Sequence, residues 1–376
     1  MNFLTTISRA GFLASIFLVP AFLSSNALAD QNLPLAALGA VPVPADNPQT
    51  SAKVALGKLL FFDPRLGGDA SVSCADCHAP KQGWGFADPI SRGYPGAIHW
   101  RNSQTVVNAA YLGKLFWVGA AKSLEAQAPS AAKGAVSGNG EADMMEARLA
   151  FIPEYAKQFR AIFGDRWPRI SSAWKAIAAF ERTLIHDQTP FDKFMRGDKT
   201  ALSAEQQRGL KLFQGKANCI ECHNGPLLTD QKYYNLGVPR AEAWLNSGLA
   251  QITFRYEQYA KGVTEDMYRT IKDDAGLYYR TKQKRDKGKF RTPPLRYTAY
   301  SAPFMHNGSF FDFGELIEFY NQGGGTNEFS ANKTKLLKPV NLSDEEKENL
   351  AAFLESLSGE EIKMQTPKLP PYAPLD

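Results

Sequence analysis

Cys74, Cys77 and His78 in "SCADCH" and Cys219, Cys222 and His223 in "CIECH" use up all four cysteines of the 376-residue chain. Each segment offers two thiols that can add across the vinyl groups of a haem, and an imidazole held directly beneath its iron. With four Cys and five His in the chain, about 0.0006 such matches are expected by chance, and two are present. A thioredoxin-like redox pair or a four-ligand zinc site needs no histidine after the second cysteine in both copies. The pattern predicts two covalently bound haem c groups.

His78 and His223 lie 145 residues apart, and similar signals precede them. "KVALGKLLFFDPRLGGDASVSCADCH" and "EQQRGLKLFQGKANCIECH" each place a Gly-x-x-Leu-Phe-like amphipathic helix ahead of the attachment motif, as an internal duplication would. The apolar spacing elsewhere is also helical, over 141–164 with a break at Pro153 and over 171–186. Capping boxes are predicted at Ser203 with Gln206 and at Ser343 with Glu346. Alternating strand patterns are scarce. Pro, Gly and charge over 187–200 mark a domain boundary.

The first 29 residues carry Arg9, an apolar run interrupted by Pro20, and Ala27-Leu28-Ala29, which together read as a secretory signal peptide. The remainder is expected to be periplasmic, with no membrane span. Without Arg9 it has 42 basic and 38 acidic residues. No nucleic-acid partner is indicated, and the basic run at 281–291 reads as a solvated loop.

Three histidines remain for the other face of each iron, His99, His186 and His306. His186 is expected to cap a helix end. Met195, Met305 and Met144 with Met145 are possible thioether ligands, although methionine at helical spacing more often packs.

The chain resembles the bacterial di-haem cytochrome c peroxidases and, within them, the MauG-like proteins. The resemblance spans nearly the whole mature sequence and is carried by "LGKLLFFDPRL", "SCADCH", "RNSQTVVNAAY", "LFWVG", "SLEAQA", "AAFERTLI", "CIECHNGP" and "TPPLRYTAYSAPFMHNGSFFDFGELIEFYNQGG", in that order. It implies a mostly α fold of two cytochrome c-like domains with long irregular loops, over 30–190 and 191–376. Hydrogen peroxide would react at the N-terminal haem on His78, and the C-terminal haem on His223 would store and relay an electron.

Conventional members place methionine opposite the second haem, nineteen residues after the start of a Thr-x-Pro triplet. Here the triplet is Ser301-Ala302-Pro303 and the matching residue is Tyr320, as in MauG-like proteins. An anionic phenolate favours higher oxidation states of iron than a neutral thioether does. Conventional members also close the first haem with a histidine seven residues before Arg-Asn-Ser, where this chain has Tyr94, so an open first iron is expected. The resemblance matches Gln127 to the peroxide pocket, and Glu141 is the nearest downstream candidate for its acid or base. Glu141 could equally serve only the start of the following helix. Trp117 matches the inter-haem relay, and the Asn102 side chain with the carbonyls of Ser301 and Pro303 matches a calcium site.

These expectations give a periplasmic oxidoreductase that uses hydrogen peroxide to form high-valent haem iron and oxidise Trp or Tyr residues of a partner protein. The alternatives are a conventional peroxidase fed by a small electron-transfer protein, and a non-enzymatic electron carrier with both irons six-coordinate.

Overall fold

The structure is a computed structural model and describes residues 33–374 apart from 96; the predicted signal peptide lies outside the described residues. Helices dominate. The first half contains α1 (Ser51–Phe61), α2 (Cys74–Cys77), α3 (Leu124–Ala132), α4 (Ala142–Ala150), α5 (Pro153–Phe163) and α6 (Ile170–Glu181). The second contains α7 (Pro190–Met195), α8 (Ala204–Gln214), α9 (Glu242–Leu245), α10 (Gly248–Ala260), α11 (Glu265–Thr270), α12 (Tyr278–Thr281), α13 (Phe313–Asn321) and α14 (Asp344–Ser356). A two-residue antiparallel pair, β1 (Tyr233–Tyr234) and β2 (Phe290–Arg291), sets Tyr233 opposite Arg291.

The two halves share one packing device. α1 crosses α6 and α8 crosses α14, each at a glycine. A Cβ on Gly57 would sit 1.9 Å from the Ala176 carbonyl oxygen, and one on Gly209 would sit 1.9 Å from that of Asn349. Four residues on from each glycine, Phe61 packs against Phe180 and Phe213 against Phe353, with ring centroids 5.3 and 5.1 Å apart. The repeated Gly-x-x-Leu-Phe pattern is therefore a helix-crossing site. Gly57→Ala and Gly209→Ala should each cost about 1–3 kcal/mol, because helix backbone rather than a side-chain tip must move. Thermal melts of holoprotein check this, and an unchanged midpoint in both would contradict the crossing geometry.

One apolar core draws on residues of 56–184 with Tyr297, and a second on Leu35 and residues of 191–357. The C-terminal segment crosses back over the first: the Trp84 indole donates to the Ile362 carbonyl (2.8 Å) and Arg65 to that of Pro370 (2.9 Å). A buried ion pair, Arg296 with Asp192 (2.7 Å), ties the start of the described chain to the second core.

Both capping boxes form, and Pro153 opens α5 as its first residue. Two expectations need correction. The helix predicted to reach 186 ends at Glu181, because the Thr183 amide and hydroxyl both take the Phe180 carbonyl (2.8 and 2.7 Å). His186 therefore caps no helix; its amide donates to Asn108 Oδ1 (2.8 Å) and its Nε2 lies 2.9 Å from the Glu360 carbonyl oxygen. The basic run is not wholly solvated either: it ends in β2, where Arg291 is only 2% exposed.

Candidate functional site

At each attachment motif one turn of chain gathers the three side chains. The His78 amide bonds the Cys74 carbonyl (3.0 Å), and the His223 amide bonds that of Cys219 (2.9 Å). That return of the chain brings the imidazole beside both thiols. His78 Nδ1 then faces the Trp84 carbonyl (3.3 Å), and His223 Nδ1 that of Leu228 (2.9 Å). These bonds leave Nε2 of each ring as the free donor atom for a metal. Both carbonyl-bearing residues are fully buried and left-handed, Trp84 at φ 60° and Leu228 at φ 52°, a conformation disfavoured outside glycine. The same strained solution at both sites shows that the loop, and not chance, fixes the ring orientation.

Burial pushes the His78 imidazole down to about 4 and lowers that of His223, which keeps both neutral, as ligation requires. The four cysteines form no disulfide. Burial pushes the thiols of Cys219 and Cys222 up to about 12 and that of Cys77 to about 11.

Both motifs open on one continuous, largely apolar cavity of about 630 Å³. Its wall holds Cys74, Cys77 and His78 of the first motif and Cys219, Cys222 and His223 of the second. Trp117 stands in the same wall, 9% exposed, its indole donating to the Asn102 carbonyl (2.8 Å) and its ring edge-on to His306. Arg291 also lines the cavity, donating to the Phe116 and Thr292 carbonyls and to Gln104 Oε1. Burial pulls its guanidinium down to about 10, and no carboxylate pairs with it among the described residues. Four unpaired thiols, two oriented imidazoles, apolar walls and a buried cation without its anion fit two haems with their propionates.

Tyr320, near the end of α13, lines the cavity beside the second motif. Burial first, and then the Cys219 and Cys222 thiols, raise its phenol above the usual range, so the two sulfurs stand close to it. Met305 lines the cavity as well. Met195 packs in the second core, Met145 in the first, and Met144 is exposed. His306 stacks on Phe290 (centroids 3.6 Å apart) and is not in the cavity wall.

Asn102, Ser301 and Pro303 each line the cavity. The Asn102 amide nitrogen donates to the Phe86 and Asp88 carbonyls (2.9 and 3.0 Å), which leaves its Oδ1 as an acceptor. Gln127 is also on the wall.

Glu141 is not. It is exposed at the entry of α4 and makes no capping bond there. The preceding loop folds back on α3, with the amides of Gly138 and Gly140 on the carbonyls of Ala131 and Ala132, so that Ser137 faces the cavity instead. Tyr94 sits in the turn bridged by Arg92 and Ile98, away from the cavity. His99, one of the three spare histidines, does line it, held by stacking on Trp100 and by the Arg101 amide on its Nδ1 (2.9 Å). Glu181, 4% exposed and on the wall, lies within "AAFERTLI", a stretch that carries the resemblance but that suggested no role for its carboxylate.

The family model described as di-haem cytochrome c peroxidase matches residues 51–200. The chain is 52% identical to the cytochrome-c peroxidase IdrP1 of Pseudomonas sp. strain SCT over 95% of each chain. It belongs to the di-haem cytochrome c peroxidase family. Within that family it is also 34% identical to the methylamine utilization protein MauG of Methylorubrum extorquens, over 88% of this chain and 85% of that one. Among solved structures, a MauG-like protein associated with microbial copper homeostasis superposes with a TM-score of 0.73 at 28% identity, over 86% of this chain and 94% of that one. The protein is thus a haem-dependent oxidoreductase with the mostly helical, two-domain cytochrome c-like fold and two haem cofactors. No helix among the described residues is long and apolar enough to cross a membrane.

Proposed function

We propose that this di-haem peroxidase reduces hydrogen peroxide at the His78 end of the cavity with electrons drawn through its second haem from a small electron-transfer protein. The continuity of the cavity between the two attachment motifs, with Trp117 in its wall, carries this reading. Bound haem would supply the redox chemistry. Cys74 and Cys77 would hold the first group covalently above His78, and Cys219 and Cys222 the second above His223. Gln127 would offer its amide to peroxide at the first site, while Trp117 bridges the two. Asn102 Oδ1 and the carbonyls of Ser301 and Pro303 would hold a calcium ion that fixes the wall between the domains. The leader-like segment at 1–29 supports a periplasmic setting for this work.

The position of Tyr320 favours a second reading, in which the electrons come from Trp or Tyr side chains of a partner protein. An anionic oxygen donor at the second iron would hold an oxidising equivalent rather than accept an electron from an ordinary donor cytochrome.

Stopped-flow mixing of peroxide with diferric holoprotein, with and without a reduced c-type cytochrome, tests both. Oxidation of two cytochromes per peroxide supports the first reading. Peroxide uptake that leaves the cytochrome reduced, with oxygen appearing on aromatic residues of other periplasmic proteins by mass spectrometry, supports the second. Failure of diferric and half-reduced protein alike to consume peroxide would remove both.

A further inference from the structure

Glu181 is the last residue of α6, a helix whose apolar face is Ala173, Trp174, Ala176, Ile177 and Phe180. Trp174, Ile177 and Glu181 are spaced by three and four and all three line the cavity; Cys74 of the first motif packs against the core that holds Trp174 and Ile177, and its thiol feels the Glu181 carboxyl. One carboxyl oxygen, Oε2, is buried with no hydrogen-bond partner. A buried carboxyl left unpaired costs stability, so it needs a reason to be there. The neighbouring cation makes no bond to it: Arg182 donates to Glu125 (2.5 Å) through one terminal nitrogen, and its other terminal nitrogen is buried without a partner. The other carboxylate on the cavity wall, Glu257, is bonded to Lys261 (3.0 Å).

We infer that Glu181 is the proton-handling group of the peroxide site, in the place that the exposed Glu141 cannot fill; the inference rests on the peroxide reading above. Breaking the O–O bond of hydrogen peroxide to release water requires one proton to leave the inner oxygen and one to reach the outer oxygen. Glu181 gives its proton to the outer oxygen, which departs as water with the electron pair of the broken bond. Its other carboxyl oxygen takes the proton of the inner oxygen. The carboxyl group ends as protonated as it began, and the two electrons that reduce peroxide come from the haem.

The surroundings suit that role. Burial raises the Glu181 carboxyl to about 8, with Glu125 of α3 adding to the rise and Arg182 opposing it. Lys53 of α1, which acts on Arg182 and Glu125, is bonded to Asn47 Oδ1 and the Pro48 carbonyl, and the Cys74 thiol of α2 feels the Glu181 carboxyl. At neutral pH the acid therefore holds its proton ready, and loses it as pH rises through about 8.

Glu181→Gln holoprotein tests this, with Glu181→Asp beside it. The expected result is a fall of about 10²–10⁴ in the rate constant for peroxide in Glu181→Gln, at unchanged haem content and melting temperature, with partial recovery in Glu181→Asp. The decline of the parent's rate constant above about pH 8 should disappear in the Gln variant. Independently of activity, the infrared spectrum of resting parent at neutral pH should show the carbonyl stretch of a protonated carboxyl that the Gln variant lacks. A Gln variant whose rate constant stays within about threefold of the parent, where ~10² is the least that proton transfer supplies, overturns the inference and leaves the peroxide reading standing. An unchanged infrared band overturns it too. Should Glu181→Gln fail to hold haem, Glu181→Asp decides by the same rate and pH profile. A parent inert to peroxide defeats the peroxide reading itself.

Discussion

Tyr320→Met should raise the midpoint potential of the second haem by a few tenths of a volt, within the ~0.8 V that axial ligands span. It should also abolish any long-lived oxidised state that peroxide produces in the diferric protein. The phenol lines the cavity next to Cys219 and Cys222, and its displacement from the usual range comes from burial and from those two sulfurs. A ferric ion there would reverse the burial effect, since its charge stabilises phenolate over phenol. The resulting negative donor lowers the potential, and a neutral thioether on the same helical turn restores it. Spectroelectrochemical titration resolves the two haems, and haem stain with the pyridine haemochrome confirms that both remain attached. A potential unchanged by the substitution would mean that Tyr320 does not bind the iron. Met305, on the same wall, would then be the residue to replace, and the peroxidase reading would stand without its protein-oxidising rival.

The parts of the site legible in the amino-acid sequence are those set by local chain geometry. Cys-x-x-Cys-His closes on itself within one turn, and the capping residues Ser203 and Ser343 act within three residues, so adjacency along the chain is enough. Trp117 bonds the Asn102 carbonyl across fifteen residues, and both line the cavity with Ser301 and Pro303, a convergence that composition alone does not reveal. Glu181 carries a signal of its own: a carboxylate at helical spacing from Trp174 and Ile177 lies on the apolar face of α6, and that spacing alone marks a buried acid. Glu141 misleads because nearness along the chain is not nearness in space, and two glycines fold the loop back and turn the next helix outward. Arg291 misleads in the opposite sense, a basic residue in a basic run whose partners are a pair of carbonyls and an amide inside the fold.

Asp192→Ala should cost about 3–5 kcal/mol and loosen the second haem domain, because it strands a buried guanidinium. Asp192 and Arg296 are both fully buried at the side chain and joined at 2.7 Å. Around them the chain closes a node of long-range bonds. Asp192 accepts from the Leu38 amide (3.2 Å) and the Thr189 hydroxyl (2.7 Å), while Arg296 donates to the carbonyls of Pro226 (2.6 Å) and Ala36 (3.1 Å). Pro226 follows the second attachment motif by three residues, so the node holds the loop that presents His223. Burial already lowers the Arg296 guanidinium, and only Asp192 opposes that with a full charge. Replacing both partners, Asp192→Ala with Arg296→Met, removes the stranded charge and should recover part of the loss. Denaturant melts followed at the Soret band give the three values. At ~2–4 °C per kcal/mol for a chain of this class, the single variant should also melt roughly 6–20 °C lower. If the double variant proves as unstable as Asp192→Ala, the cost lies in the lost backbone anchors at Leu38 and Pro226 rather than in the unpaired charge. The second haem would then be held in place chiefly by hydrogen-bonded loops.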